Sequence, residues 1–215
     1  MQAYLIANLQ AMATLGRQLG HNDKAQGYEA AAQNLCAAMN SELWDEQAGF
    51  YRDRWGWPST PLEVRTPASF IALYADNLVP HDRARRLLAH LTDPRQFWTR
   101  WPVPSVACDD PTFNPDEYWR GSTWLNVNWF IVRGLISAAR RFADPAYLPP
   151  AKCIALRSLE LVRQVGLREY YRSQPTDRDS AAAGFGPALS WSGLVLCLDE
   201  LLMRDLAEVE ALPCP

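Results

Sequence analysis

The chain has 215 residues, 48% of them hydrophobic and 21% charged, and a formal net charge of -3. That length buries a full core, taking roughly 70% of the extended surface from water. The mildly acidic balance offers no general attraction to nucleic acid, so the basic run Arg83-Ala84-Arg85-Arg86 is read as a solvated helix face.

No apolar run approaches the ~20 residues that cross a bilayer, and Met1-Gln2-Ala3-Tyr4 has neither a basic segment nor a cleavage site. A cytoplasmic protein without a membrane partner is expected. Nine tryptophans are the unusual component and raise the weight of a ligand groove. The five cysteines, at 36, 108, 153, 197 and 214, lack CxxC spacing, and Cys36, Cys153 and Cys197 fall in helical apolar patterns as small hydrophobes, so a reducing setting is expected. His21, His81 and His90 are far apart in sequence, and neither a phosphate loop nor a nucleophile elbow is present, so no metal and no cofactor are expected.

In chain order, Leu5, Leu9, Met12, Leu15 and Leu19 recur at helical intervals and predict a helix over Gln2 to Leu19 with that stripe as its buried face. Asn22 or Asp23 caps a second helix ending near Leu43, with Tyr28, Ala32, Leu35, Cys36 and Met39 inward, so the two form an antiparallel pair. Trp44 to Tyr51 reads as a turn around Gly49 with a short extended stretch, and Asp53 to Glu63 as a loop whose Trp55 and Trp57 line a groove or cover the core. Helices follow over Pro67 to Asn77 and Asp82 to Leu91. The thirty residues from Thr92 to Gly121 show no period, too long for a plain connection, so a packed and functional loop is expected there. Further helices are predicted over Thr123 to Arg141, Pro149 to Val165 and Ser190 to Val209, with Arg168 to Leu189 a polar, glycine-containing loop. About seven helices make the chain all-α by pattern.

Tyr118 to Phe130 concentrates three indoles, a guanidinium and two carboxamides in thirteen residues, at the mouth of the helix that Thr123 is placed to cap. Flat aromatic faces suit the C–H faces of a sugar, while Arg120 and Asn128 suit its hydroxyls. The same residues also fit a tightly packed helix, with Asn126 and Asn128 bonded to neighbouring backbone. Arg120 is a clamp for adjacent hydroxyls or a carboxylate, or else a salt bridge ordering the loop. Gly121 permits close backbone approach at the rim.

The block from Phe97 to Leu135, with Trp98, Trp101-Pro102-Val103-Pro104-Ser105-Val106 and Tyr118-Trp119-Arg120-Gly121-Ser122-Thr123-Trp124-Leu125-Asn126-Val127-Asn128, resembles family 63 glycoside hydrolases. The relatives include processing α-glucosidase I, mannosylglycerate and glucosylglycerate hydrolases and, more distantly, trehalases. Gly166-Leu167-Arg168-Glu169-Tyr170-Tyr171, followed by Leu189-Ser190-Trp191-Ser192, is similar to that family's general-base segment. The resemblance implies an (α/α)6 toroid-like fold, incomplete here, with the chain as a single partial domain matching the C-terminal part of the catalytic domain. It implies inverting hydrolysis of an α-glucoside, α-mannoside or glycosylglycerate, with Glu169 as the water-activating base.

The residues expected to contact such a carbohydrate are Trp98, Trp101, Tyr118, Trp119, Arg120, Gly121, Trp124, Asn128, Tyr170, Tyr171 and Trp191, the last packing behind the site or touching the ligand. The family's general acid lies on a loop ahead of the segment matching Gln2 to Leu19, so this chain starts too late to contain it. Asp109, Asp110, Asp116, Glu117 and Asp177 are the carboxylates weighed as substitutes, against ordinary loop charges with Asp109 or Asp110 capping a turn. The missing acid gives two alternative expectations, a sugar-binding fragment and one half of a split enzyme joined by an N-terminal complementing chain. A helical interaction module that self-associates is the third.

Overall fold

The computed structural model describes residues 1–176, 181–187, 190–211 and 213, and Asp177 and Cys214 lie outside them. Helix α1 (Gln2–Gln18) and α2 (Asn22–Glu42) form the expected antiparallel pair. Met1 to Tyr4 line a small pocket together with Met39 and Leu43 at one end, and Arg17 pairs with Glu29 at the other. The buried face of α1 differs from the expectation. It is Ala3, Ile6 and Ala13, while Leu5, Met12, Leu15 and Leu19 are exposed and Leu9 is half-buried. Small residues decide this: a β-carbon on Gly16 would lie 3.2 Å from that of Ala25, so the helices close on their small-residue faces and turn the leucines outward.

Two short hairpins follow, β1 (Trp44–Asp45) with β2 (Phe50–Tyr51) and β3 (Arg54–Trp55) with β4 (Thr60–Pro61). Gly49 turns the first at φ +70°, and Asp45 Oδ1 accepts from Ala48 N at 2.9 Å. Trp55 and Trp57 are exposed on the second, so neither covers the core. The helix expected over 67–77 is shorter: α3 (Ala68–Ile71) tightens into a 3-10 turn over Ala72–Tyr74 and stops. Helix α5 (Leu125–Phe142) crosses there, with Gly134 so near that a β-carbon would fall 2.9 Å from Tyr74 N.

Helix α4 (His81–Leu91), α5 (Leu125–Phe142) and α6 (Leu148–Val165) match the predicted spans closely. The last predicted helix is a 3-10 segment over Ser190–Leu194 followed by α7 (Val195–Arg204). The segment 168–187 carries a third hairpin, β5 (Tyr170–Tyr171) with β6 (Gly184–Phe185). Seven α-helices among the described residues make an all-α chain. They pack as an open array, α1 on α2, α3 and its 3-10 turn on α5, and α5 on α6 and α7, an incomplete (α/α) toroid.

The main core joins Phe50, Phe70 and Phe97, packed edge-on or stacked, to Leu73, Leu87, Ile131, Leu135 and Ile154. A second cluster, Trp101, Leu125, Leu161, Tyr171 and Val195, lies where α5 begins. Cys36, Cys108 and Cys197 are free thiols, whereas Cys153 is disulfide-bonded, correcting its reading as a plain small hydrophobe. Linear spacing does not reveal such a pairing, which depends on the distance between β-carbons in the folded chain. Among the described residues no helix is long and apolar enough to cross a membrane.

Candidate active site

The site forms where α5 begins. Thr123 does not cap that helix. Trp124 holds the cap position, and the Thr123 hydroxyl donates to Trp101 O. Its backbone instead bridges to Tyr171, with Thr123 N donating to Tyr171 O at 2.7 Å and Tyr171 N to Thr123 O at 2.9 Å. This exchange brings the start of α5 beside the segment after α6, with Tyr171 48 positions after Thr123.

The turn 114–120 closes on itself through Asn114 N donating to Arg120 O at 2.7 Å, and it presents Tyr118. Gly121, buried at φ +148°, leaves no space for a side chain because a β-carbon would sit 2.7 Å from Asn114 O. Its N–H donates to Ser105 Oγ at 2.9 Å, and Trp124 Nε1 donates to Tyr118 O at 3.1 Å, so the C-terminal part of the turn is fastened.

Glu169 meets this turn. Its backbone N–H donates to Phe185 O at 3.0 Å, and its Oε1 accepts from the Tyr118 hydroxyl at 3.0 Å. Gly186, at φ +70°, abuts the other oxygen: a β-carbon there would lie 2.6 Å from Oε2. The hydrogen bond to Glu169 is the main reason the Tyr118 hydroxyl titrates above the ordinary tyrosine range. Burial pushes Tyr170 up as well, followed by the charges of Glu169, Asp116 and Glu117.

Around the carboxylate the rings are ordered. Trp119 stacks on Trp124 at 4.0 Å and 3°, Trp124 on Tyr170 at 5.3 Å, and Tyr170 on Phe185 at 5.2 Å, with Tyr118 edge-on to Trp119, Trp124 and Tyr170. Trp124 is only 2% exposed, while Trp119 is 47% and Tyr118 46% exposed, so the open aromatic surface belongs to the latter two. Arg120 is exposed beside them, 3.1 Å from Glu117.

Trp98, Trp101, Asn128 and Tyr171 lie deeper. Trp98 is buried in the main core and donates Nε1 to Pro213 O at 2.9 Å, and Trp101 is buried in the second cluster. Asn128 is fully buried, accepting from Val103 N at 3.1 Å and donating to Pro102 O at 2.8 Å, so it fixes the 101–104 wall. Tyr171 is buried, its hydroxyl accepting from Arg168 N and donating to Gly166 O. Trp191 is exposed at the start of the last helical segment.

Sequence reasoning missed Phe185 and Gly186, which pass as loop. An aromatic between two glycines was the available signal. Of the substitute carboxylates, Asp109 pairs with Arg65, Asp110 caps Thr112, Asp116 pairs with Arg172 and Glu117 with Arg120. A groove of about 670 Å³ lined by Thr14, Asp76, Arg133 and Arg140 lies along α1 and the C-terminal half of α5, apart from this convergence. At Glu169, by contrast, a carboxylate is hydrogen-bonded to a tyrosine whose ring, with that of Trp119, is about half exposed.

The fold is that of the six-hairpin, (α/α) toroid class of glycosidase-like domains, here open. Residues 1–192 match the mannosylglycerate hydrolase MGH1-like glycoside hydrolase domain, and the chain belongs to that family. It is 34% identical over 153 residues to mannosylglycerate hydrolase of Thermus thermophilus, covering 70% of this chain and 33% of that protein. The mannosylglycerate hydrolase of Rubrobacter radiotolerans is 33% identical over 196 residues, 89% of this chain and 40% of its own length. The crystal structure of a GH63 mannosylglycerate hydrolase from Thermus thermophilus in complex with Tris superposes with a TM-score of 0.75 at 28% identity, over 92% of this chain and 43% of that one. The chain therefore spans less than half the length of these relatives.

Proposed function

We propose that this chain carries the water-activating half of an inverting α-glycoside hydrolase, with Glu169 as general base and a glycosylglycerate such as mannosylglycerate as substrate. Inversion requires a carboxylate that takes a proton from water on the face opposite the leaving group, roughly 6.5–9.5 Å from the acid. The observation that carries the reading is the convergence of Glu169 with Tyr118 and the exposed Trp119. The tyrosine fixes one carboxylate oxygen and leaves the other to water, while Trp119 and Tyr118 offer flat apolar surface to a sugar ring. Arg120 supplies a fork for hydroxyls or for the glycerate carboxylate.

The Glu169→Gln chain should keep its circular dichroism spectrum and lose about 10³-fold in mannosylglycerate hydrolysis, the scale of a general base. Undiminished turnover by that variant would remove Glu169 from the role.

A second reading is favoured by the guanidinium partners of Asp116 and Glu117 and by the chain's coverage of under half of its relatives. On it the chain binds sugar without turnover until a helical segment bearing the acid joins it, and calorimetry with mannosylglycerate would read heat without product. Exposed Leu5, Met12, Leu15 and Leu19 on α1, with Leu196 and Met203 on α7, supply apolar faces for such a segment or a second copy. Concentration-dependent sedimentation is then expected, and a strict monomer up to high concentration would speak against a second copy.

A further inference from the structure

The turn that brings Tyr118 to Glu169 is also held on its other side, by a contact the chemistry above does not use. Arg172 Nε and Nη2 donate to the two oxygens of Asp116 at 2.6 and 3.0 Å, a two-pronged pair whose guanidinium side chain is only 7% exposed. The same guanidinium donates Nη1 to Ala181 O at 3.0 Å, and Arg172 N donates to Ala183 O at 2.9 Å. Arg172 thus sits where the Tyr118 turn, the segment continuing β5 and the approach to β6 meet.

Each of those segments has anchors of its own. The strand is bridged to Thr123, and the turn's C-terminal end is held through Gly121 N and Tyr118 O. Those anchors do not reach the N-terminal half of the turn, whose own bonds stay within the turn: Asn114 N to Arg120 O at 2.7 Å, Glu117 N to Asn114 O at 3.1 Å and Asp116 N to Asn114 Oδ1 at 3.1 Å. We propose that Asp116 and Arg172 are a positioning pair, which sets where the Tyr118 hydroxyl meets the Glu169 carboxylate. This role rests on the reading of Glu169 as the base. A planar fork on a carboxylate fixes distance and plane together, which an ammonium does not. A swing of about 1 Å in the turn suffices to break a 3.0 Å hydrogen bond.

The test uses the 215-residue chain with ¹³Cζ-labelled tyrosine, the Tyr118 signal assigned by Tyr118→Phe, and its midpoint followed against pH. The groups acting on that hydroxyl are Glu169, by hydrogen bond and charge, burial, the Tyr170 charge, and an opposing contact with Trp119. The Asp116 charge also acts on Tyr170, so the Tyr170 midpoint, followed alongside, reports the loss of that charge. Asp116→Asn and the charge-preserving Arg172→Lys should each bring the Tyr118 midpoint down by about half or more of the fall seen in Glu169→Gln. In a mannosylglycerate assay they should lower kcat about tenfold with KM within about twofold.

A Tyr118 midpoint that stays at the parent value in both variants, while Glu169→Gln moves it, overturns the pair's role. A midpoint unmoved even in Glu169→Gln overturns it too, because the hydrogen bond being positioned is then absent. Should Glu169→Gln shift the midpoint yet retain turnover, the base reading fails separately, and the two variants still decide whether the pair aims the carboxylate.

Discussion

Gly186 leaves no room for a β-carbon beside the Glu169 carboxylate, and its φ of +70° is one that L side chains resist. Gly186→Ala should therefore cost about 1–2 kcal/mol in urea unfolding and about 100-fold in turnover, since displacing a reacting group by an ångström has that effect. An alanine variant with full activity would mean that the carboxylate is not held where it is seen. Single residues were unevenly legible. Tyr118, Trp119, Arg120 and Trp124 stand together in the sequence and announce themselves. Glu169 emerges only through its resemblance to a known segment, because the hydroxyl it meets lies 51 positions away. Arg172 and Asp116 are 56 apart and carried no local signal.

At the scale of elements, periodicity located α4, α5 and α6 within a residue or two, since each has one apolar face turned to a core. It misassigned the face of α1, where small residues permitted the closer approach and outweighed the leucines. The long stretch after α4 is ordered by Asp93, whose carbonyl accepts from Gln96 N, Phe97 N and Trp98 N and so delivers two aromatics to the core. Its side chain accepts from the Arg95 guanidinium and from Gln96, and the Arg95 hydrogen bond holds that carboxyl down at about 2 against the upward pull of burial. A folded value below the unfolded one stabilises above the unfolded value, near 4, and that contribution fades as pH falls towards 2. Asp93→Asn should accordingly unfold at lower urea than the parent at pH 7, with the gap closing between pH 4 and pH 2. A gap that persists unchanged at pH 2 would assign the effect to something other than this carboxylate.

For the whole molecule, the helices form part of a ring, and their order sets which ends meet. The antiparallel bridge between Thr123 and Tyr171 places the start of α5 against the segment after α6, and every group ascribed to the chemistry stands at that junction. The class of fold was legible from helix count and motif order. The open edges along α1 and α7 were not, because exposure belongs to packing rather than to the pattern of leucines. The direct test of the central claim is Glu169→Ala supplied with mannosylglycerate and sodium azide, the products being read by proton NMR. Inversion with Glu169 as base predicts that the parent first releases the β-anomer of the sugar. The variant should stay inert towards water but form the β-glycosyl azide, the small anion entering where the carboxylate stood. Hydrolysis by Glu169→Ala at the parent's rate in azide-free buffer would contradict it.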